Sequence, residues 1–477
     1  MKRQKLQKLY IEHFGEKPEK VTQLPPSGSY REYYRMQGKN KSVMGVYNQD
    51  FRENIAFIEF TRHFLKHGLN VPGLIASDIE NNIYILEDLG DQTLFSYLSE
   101  ERKEKGFTGD LIKTYKKVIE SLPGFQIEAG KDLDYSVCYP RDKFDRQSMM
   151  WDMNYFKYYF LKLAKIPFDE QLLEDDFQKF AAYLLQAGQD YFLYRDFQSR
   201  NIMINDGKVY FIDYQGGRKG ALQYDIASLL YDAKADIPRS VRTELFEYYL
   251  DVLEKHIKFD RGEFRNYYYG YVLIRIMQAM GAYGFRGFYE KKKHFLASIP
   301  YAIENLKWIL GNVKLPVNIP TLESVLQSLT ESEYLKSIGN DHAVFSAKNK
   351  LTVRINSFSY KNGIPLDESG NGGGYVFDCR AIHNPGKYEE YKTLTGKDEE
   401  VIRFFEKETE MEDFLNAVFL LADQSVEKYI KRDFTDLVIS FGCTGGQHRS
   451  VYSAEKLAKH LKAKYNIQII LIHRELK

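Results

Sequence analysis

Two short apolar runs, Ile202-Met203-Ile204 and Val209-Tyr210-Phe211-Ile212, flank Asn205-Asp206-Gly207-Lys208. Asp-Gly between strand-like runs is a strong two-residue hairpin signal, because both central residues of such a turn take positive φ. Closing that hairpin lays Ile212 opposite Asn201 and puts Asp213 one step from the Asn201 amide. Asp196 precedes Asn201 by five positions, in Tyr194-Arg195-Asp196-Phe197-Gln198-Ser199-Arg200-Asn201. An acid, an amide five residues later and a second carboxylate across a hairpin have the spacing of a phosphoryl-transfer loop. In such a loop Asn201 and Asp213 supply oxygen ligands to a hard cation such as Mg²⁺, shared with nucleotide phosphates. Asp196 is then left to act as base. An Asp and an Asn five apart also arise by chance in loops. The hairpin and the second carboxylate set this stretch apart.

At 477 residues the chain exceeds what one core holds, so two or three domains are expected. Lys plus Arg total 67 against 66 Asp plus Glu, which gives no global electrostatic argument for nucleic acid or an anionic membrane. The three cysteines, Cys138, Cys379 and Cys443, are far apart and form no C-x-x-C pair, which argues against structural disulfides and a zinc site. The amino terminus is basic and broken by Lys5, Lys8, Glu12 and His13, so it lacks the apolar core of a secretory signal. No apolar run approaches membrane-spanning length. A soluble, cytoplasmic protein with no membrane partner is expected.

From about Val21 to Leu98 the pattern is short strands around one helix: Tyr33–Met36, Ser42–Tyr47, a helix over Asn54–Lys66 stopped by Gly68, then Asn82–Glu87. Asp110 to Leu310 reads as mostly helical and rich in Tyr and Phe, with the hairpin embedded. Pro316, Pro320 and a polar stretch mark a linker over 313–349, with one short helix at Leu322–Leu335. After Leu351, strands at Leu351–Ser357, Tyr375–Asp378, Leu437–Phe441 and Gln468–His473 alternate with helices at Met411–Lys431 and Ser450–Lys464. The expected fold is an α+β protein-kinase-like bilobal unit over 1–312, followed by a small α/β domain over 350–477.

Pro26-Ser27-Gly28-Ser29-Tyr30-Arg31 reads as a turn between strands that covers phosphates through backbone N–H groups and Ser29, although Gly and Ser mark turns anyway. It stands ahead of Tyr84-Ile85-Leu86-Glu87-Asp88-Leu89-Gly90-Asp91, an apolar strand ending in polar residues as an interlobe hinge does. The backbone of Glu87 and Leu89 would meet an adenine there.

With these motifs, and with Ile212-Asp213-Tyr214-Gln215 and Tyr224-Asp225-Ile226-Ala227-Ser228-Leu229-Leu230, residues 20 to 310 resemble the aminoglycoside phosphotransferase-like kinases. They resemble most closely the anomeric N-acetylmuramate/N-acetylglucosamine kinases. The resemblance implies ATP and Mg²⁺ as cofactors, Asp196 as base, Asn201 and Asp213 as metal ligands, and Asp225 as a brace for the catalytic loop. It implies an amino-sugar acceptor and a place in cell-wall recycling. An anomeric hydroxyl is more acidic than an ordinary alcohol, so a carboxylate needs only modest help to deprotonate it. Two departures stand out. Tyr194 occupies a position where many of these kinases carry His, and Ser42–Tyr47 lacks the phosphate-pairing Lys, leaving Arg31, Arg35 or Lys41 to reach the phosphates. The sugar is expected between the catalytic loop and Phe144–Phe160, against Trp151, Asp152 and Asn154. Met149, Met150, Met153, Phe156, Tyr159 and Phe160 recur there at near-helical spacing, which more often means core.

In the second half, Leu437–Phe441 reads as a buried strand, Gly442-Cys443-Thr444-Gly445-Gly446-Gln447-His448-Arg449-Ser450 as a loop, and Val451 onward as a helix. A glycine-bearing loop entering a helix aims several N–H groups at one point and so binds an anion. Arg449 adds a fork of donors. Cys443 and Arg449 also have the spacing of a cysteine phosphatase loop, with Ser450 following. The wider segment from Leu351 resembles the C-terminal domain of the RNase adapter protein RapZ, through Ser357–Pro365, Phe377-Asp378-Cys379-Arg380, Asn384-Pro385, Leu394–Asp398, Gly442–Val451 and His473-Arg474-Glu475-Leu476. It implies a phosphorylated amino sugar on Thr444, Gly445, His448, Arg449 and Arg380, and in that family small RNAs as partners. Gly386 and Lys387 depart from the aromatic/His pair that often follows Asn-Pro, and no G-x-x-x-x-G-K-[ST] loop occurs in the chain. Lys456, Lys459, Lys462 and Lys464 form a basic face that is more often solvation than RNA contact. Three readings stay open here: an amino-sugar kinase with a fused phosphosugar-sensing domain, a non-catalytic nucleotide/phosphosugar sensor or RNA-binding adapter, and a kinase fused to a cysteine phosphatase-like domain.

Overall fold

The structure, a computed structural model, describes residues 2–25, 31–39, 41–290, 292–332, 334–335, 338, 351–365, 367, 373–407, 409–432 and 434–476. It divides into two compact units, one of residues 1–289 and 298–336 and the other of residues 290–297 and 337–477.

The first unit opens with helix α1 (Lys2–Phe14) and strand β1 (Lys20–Gln23), neither of which the sequence pattern announces. Strands β2 (Glu32–Gln37), β3 (Ser42–Tyr47), β4 (Leu74–Asp78) and β5 (Ile83–Glu87) join β1 in an antiparallel sheet of order β1-β2-β3-β5-β4. The expected strands Tyr33–Met36, Ser42–Tyr47 and Asn82–Glu87 thus lie in β2, β3 and β5. Alternation buries Val43, Met36, Ile83 and Ile85 on one face, where Leu6 and Tyr10 of α1 cover them. Helix α2 (Phe51–Lys66) begins three residues before the expected Asn54, because Asp50 caps it by accepting the Glu53 N–H at 3.1 Å.

The helical part comprises α3 (Leu94–Lys105), α4 (Gly109–Pro123), α5 (Arg146–Phe156), α6 (Glu170–Leu184), α7 (Gln223–Leu230), α8 (Arg239–Leu253) and α9 (Arg261–Tyr283), then helices Ile299–Asn312 and Pro320–Glu331. The stretch read as a linker is corrected in part. Its helix Pro320–Glu331 is packed into the first unit, with Leu322, Val325, Leu326 and Leu329 buried and Asp176 of α6 accepting the Thr321 and Leu322 N–H groups at 2.7 and 3.1 Å.

Strands β6 (Tyr191–Leu193) and β9 (Arg218–Gly220) pair with each other, and β7 (Ile202–Asn205) pairs with β8 (Lys208–Phe211). Behind these two ribbons an aromatic cluster of Phe64, Phe125, Phe192, Tyr194, Phe197, Phe211 and Tyr214 meets largely edge to face. Such contacts give a rigid floor to the loops above.

The second unit carries β10 (Thr352–Ser359), β11 (Tyr375–Asp378), β12 (Asp436–Cys443) and β13 (Gln468–His473) in a parallel sheet of order β11-β12-β10-β13. The central strands β10 and β12 are buried along nearly their whole length, as parallel strands covered on both faces must be. Helices Thr409–Lys431 and Arg449–Lys464 supply part of that cover. Among the described residues no helix is long and apolar enough to cross a membrane.

Candidate functional site

The hairpin closes in the expected register. Ile202 pairs with Phe211 and Asn205 with Lys208, while Asp206 and Gly207 take φ of 49° and 72°. Ile212 donates its N–H to the Asn201 carbonyl at 3.0 Å, which brings the Asn201 amide within 3.2 Å of an Asp213 carboxylate oxygen. The same amide nitrogen donates to the Asp196 carbonyl at 3.0 Å. One side-chain amide therefore ties together the loop of the base and the second carboxylate. Amide and carboxylate oxygens suit a hard cation, and Asp213, with its side chain 37% exposed, has room beside it for phosphate oxygens and water. Asn201 and Asp213 are the residues that would hold Mg²⁺ here.

Buried carboxylates and a phenol set the loop. Asp225 of α7 accepts the backbone N–H of Tyr194 at 2.9 Å and of Arg195 at 3.0 Å, and Gln126 donates to it at 3.1 Å. Burial pushes the Asp225 carboxyl up to about 7, and those three donors hold it back. Arg195 takes φ of 82° and gives both terminal nitrogens to Asp152, at 2.8 and 2.6 Å. Tyr194 answers the first departure: its hydroxyl donates to the Ile212 carbonyl at 2.7 Å, joining the loop of the base to the strand that leads to Asp213.

Of the three basic residues expected in place of the strand lysine, one lies beside the candidate metal ligand Asp213. Arg31, 4% exposed, places one guanidinium nitrogen 2.9 Å from Glu53 of α2 and another 3.4 Å from Asp213. Arg35 does not share that duty, because its guanidinium grips Asp88 and Asp91 of the hinge at 2.8 Å each. Lys41 is exposed. Of the residues expected to meet nucleotide, Gly28, Ser29 and Tyr30 lie outside the described residues. Glu87 ends β5 with its N–H given to the Gly73 carbonyl at 2.9 Å, and Leu89 is buried.

One catalytic neighbour escaped the sequence reading. Arg275 of α9 is buried, donates to Ser228 at 2.9 Å and places a guanidinium nitrogen 3.8 Å from Asp196. Its signal was present: a lone charge inside Tyr271-Val272-Leu273-Ile274-Arg275-Ile276-Met277. Burial raises the Asp196 carboxyl above the ordinary carboxylate range, with Asp213 and Asp152 adding to the rise and Arg275 and Arg195 opposing it. Water reaching the 37% exposed side chain screens all of these effects. Removing the Arg275 cation therefore disfavours the carboxylate. The acid limb of the pH–rate profile of Arg275→Gln is expected to move upward, and Arg275→Lys to restore it.

One of the acceptor residues expected from sequence is tied to the catalytic loop. Asp152 is 7% exposed and both its oxygens bond Arg195, so it orients that loop. Trp151 is 46% exposed, with Arg141 over its ring, and Asn154 is half-buried. The core reading of the same helix is correct for Met149, Met150, Met153, Phe156 and Phe160, all buried, whereas Tyr159 is 36% exposed.

In the second unit the expected strand-loop-helix order is present, with β12 running two residues past Phe441 to Cys443 and helix Arg449–Lys464 starting two residues before Val451. The loop is held from several sides. Ser359 donates its hydroxyl to the Thr444 carbonyl at 2.7 Å, and the ring Nε2 of His448 lies 2.8 Å from the Tyr391 carbonyl. Arg449 is 5% exposed, and its NH1 donates to the carbonyls of Arg380 and Ile382 at 2.9 and 3.0 Å. Its NH2 lies 3.5 Å from the Thr444 hydroxyl, and its Nε has no hydrogen-bond partner. Arg449 is thus first a strut between the loop and the segment that follows β11. Arg380 stacks over Tyr360 at 4.0 Å and pairs with Asp378 at 2.6 Å.

The phosphatase reading fares poorly. A nucleophilic thiolate must be open to its substrate. Cys443 is 2% exposed, contacts Ser450 Oγ at 3.2 Å and accepts the Gly446 N–H at 3.2 Å.

Gly446 is required where it stands: φ is 70°, and a Cβ there would lie 2.3 Å from Cγ of Glu475 and 2.9 Å from the Ser359 nitrogen. Glu475 in turn accepts from Ser359 N and Asn362 Nδ2. Gly446→Ala is expected to destabilise the second unit by about 1–3 kcal/mol, read as a lower melting temperature.

The family model described as the phosphotransferase enzyme family matches residues 20–265. The chain belongs to that family. Its second unit matches the RapZ C-terminal domain over residues 351–477. The chain thus joins a domain of the phosphotransferase enzyme family to a match to the RapZ C-terminal domain. It is 40% identical over 128 residues to a nucleotide-binding protein of Acinetobacter baylyi, covering 27% of this chain and 43% of that one. It is 41% identical over 131 residues to a nucleotide-binding protein of Endomicrobium trichonymphae, covering 28% and 44%. The chain thus spans less than half the length of these relatives. Among solved structures, a spectinomycin phosphotransferase in complex with ADP and spectinomycin is 12% identical, covers 68% of this chain and 98% of its own, and has a TM-score of 0.44. Choline kinase LicA from Streptococcus pneumoniae is 16% identical, covers 70% and 100%, and has a TM-score of 0.41.

Proposed function

We propose that the first unit transfers the terminal phosphoryl group of ATP, with Mg²⁺, to an amino sugar of the N-acetylmuramate/N-acetylglucosamine type at its anomeric hydroxyl. The observation that carries this reading is the meeting of Asp196, Asn201 and Asp213 through one amide, with Arg31 against Asp213 and Arg275 against Asp196. Asp196 takes the hydroxyl proton as the oxygen attacks phosphorus. An anomeric hydroxyl is more acidic than an ordinary alcohol, which suits a carboxylate base whose affinity for protons is raised by burial. Asn201 and Asp213 hold Mg²⁺, which neutralises phosphate charge when bound. Arg31, fixed by Glu53, keeps the Asp213 carboxylate aimed at that ion in place of the absent lysine.

The second unit binds a phosphorylated amino sugar at the loop of Thr444, Gly445, His448 and Arg449, with Arg380 beside it. The unpartnered Nε of buried Arg449 supports this, since a phosphate oxygen would satisfy it. A fusion of this kind couples cytoplasmic sugar salvage, as in cell-wall recycling, to the level of a phosphosugar.

The test is ADP release with Mg²⁺-ATP across a panel of amino sugars and aminoglycosides, with phosphorus NMR of the product. Turnover with one N-acetylated sugar and a product phosphorus on the anomeric oxygen is the expected result. Turnover with an aminoglycoside alone would replace the acceptor. No turnover despite ATP binding, together with salt-sensitive RNA binding by the second unit, would replace the reading with that of an adapter.

A further inference from the structure

The carboxyl end of α2 carries two histidines four residues apart, His63 in its last turn and His67 as its C-cap, a spacing that puts both imidazoles on one side. Their ring centroids are 4.6 Å apart. Facing them is the segment after α4, where a short 3-10 turn over Ala129–Lys131 delivers Asp132. Nε2 of His67 lies 2.9 Å, and Nε2 of His63 lies 3.5 Å, from the same Asp132 oxygen. All three ligand atoms fall within 4.8 Å of one another.

These spacings fit co-ligands of one ion. A tetrahedral ion with bonds of about 2.0–2.1 Å sets its ligand atoms about 3.3 Å apart. The contact at His67 also lacks hydrogen-bond geometry: its Nε2 is buried and has no hydrogen-bond partner despite the carboxylate at 2.9 Å. A ring nitrogen that faces a carboxylate without donating to it directs its lone pair beside the oxygen, as two ligands of a shared metal do. His63 Nε2 is 2.8 Å from the Ala129 carbonyl, so coordination by that nitrogen exchanges this hydrogen bond for the ion and leaves the ring proton on Nδ1.

We propose that His63, His67 and Asp132 bind a divalent transition ion of the Zn²⁺ type, with a water in the open fourth position. Two imidazoles and one carboxylate suit such an ion better than Mg²⁺ or Ca²⁺, which prefer an all-oxygen set. The site is separate from Asn201 and Asp213 and does not depend on the acceptor of the kinase. Its consequence is mechanical. The ion pins the carboxyl end of α2 to the segment 129–132, and the amino end of the same helix carries Glu53, which holds Arg31 against Asp213. Metal at this position therefore stabilises the helix that aligns the catalytic carboxylate.

The experiment uses the full chain, stripped with chelator and titrated with Zn²⁺ by calorimetry and with Co²⁺ by visible absorption. One Zn²⁺ per chain is expected, with a tetrahedral-type Co²⁺ spectrum and a rise in melting temperature on Zn²⁺ addition. Affinity is expected to fall at least tenfold in His67→Ala and in Asp132→Asn. Asp132 has a side chain 56% exposed, so its substitution tests the site without threatening the fold. Asp213→Asn should leave Zn²⁺ uptake unchanged. No uptake by the unmodified chain, or equal affinity in Asp132→Asn and the unmodified chain, overturns the proposal.

Discussion

Asp196→Asn is expected to lower turnover by about 10²–10⁴-fold while ATP binding persists, because a positioned general base contributes that much and Asn keeps the size of Asp but takes no proton. The geometry makes the substitution clean. What holds the Asp196 backbone is its carbonyl, bonded to Asn201, and the flanking N–H groups of Tyr194 and Arg195, bonded to Asp225. None of these bonds uses the Asp196 side chain, whose contact with Arg275 is long at 3.8 Å, and Ser228 and Gln278 also hold that cation. The melting temperature should therefore change little while single-turnover rates collapse, and the two measurements together separate loss of the base from loss of the loop. A variant that retained full turnover would move the base elsewhere, and Asp213 would be the next carboxylate to test.

Asp152→Ala should act in the opposite way, costing about 3–5 kcal/mol of stability by leaving a buried guanidinium without its carboxylate. Arg195 and Asp152 have side chains only 15% and 10% exposed and share two bonds, so little water can take the place of the missing partner. Arg195 also lies over the rings of Phe144 and Tyr224, at 4.9 and 5.5 Å, which fixes the cation where the carboxylate was. Chemical denaturation reads the loss directly. If Asp152 were a sugar ligand instead, the same variant would raise KM and leave the denaturation midpoint in place. A double variant, Asp152→Leu with Arg195→Met, should recover much of the stability, since breaking one partner of a buried pair costs more than replacing both.

The reach of sequence reasoning differed between neighbouring residues for one physical reason. The hairpin was legible because its turn, register and carboxylate lie within thirteen consecutive residues, Asn201 to Asp213, where turn chemistry alone sets the geometry. The strand-loop-helix of the second unit was legible for the same local reason. The pairing of Asp152 was not legible, because nothing near it in sequence shows that Arg195, 43 positions on, bonds both its oxygens. Arg449 has the spacing of a phosphate fork, and only the position of the segment after β11 turns its NH1 onto two backbone carbonyls. Helix α1 went unread because its buried residues are only Leu6 and Tyr10, too few to mark a face among many charges.

The order of residues along the chain by itself determined the two-part architecture, the catalytic hairpin with Asn201 and Asp213 on it, and the glycine loop entering the last long helix. These depend on backbone preferences and on periodicity, which act over a few residues. Tertiary structure alone decided which charges meet. Arg31 reaches Asp213 from 182 positions away, Asp225 grips the catalytic loop from α7, and Arg275 arrives beside Asp196 from the middle of α9. A buried charge is stable only against a partner, and packing chooses that partner from anywhere in the chain.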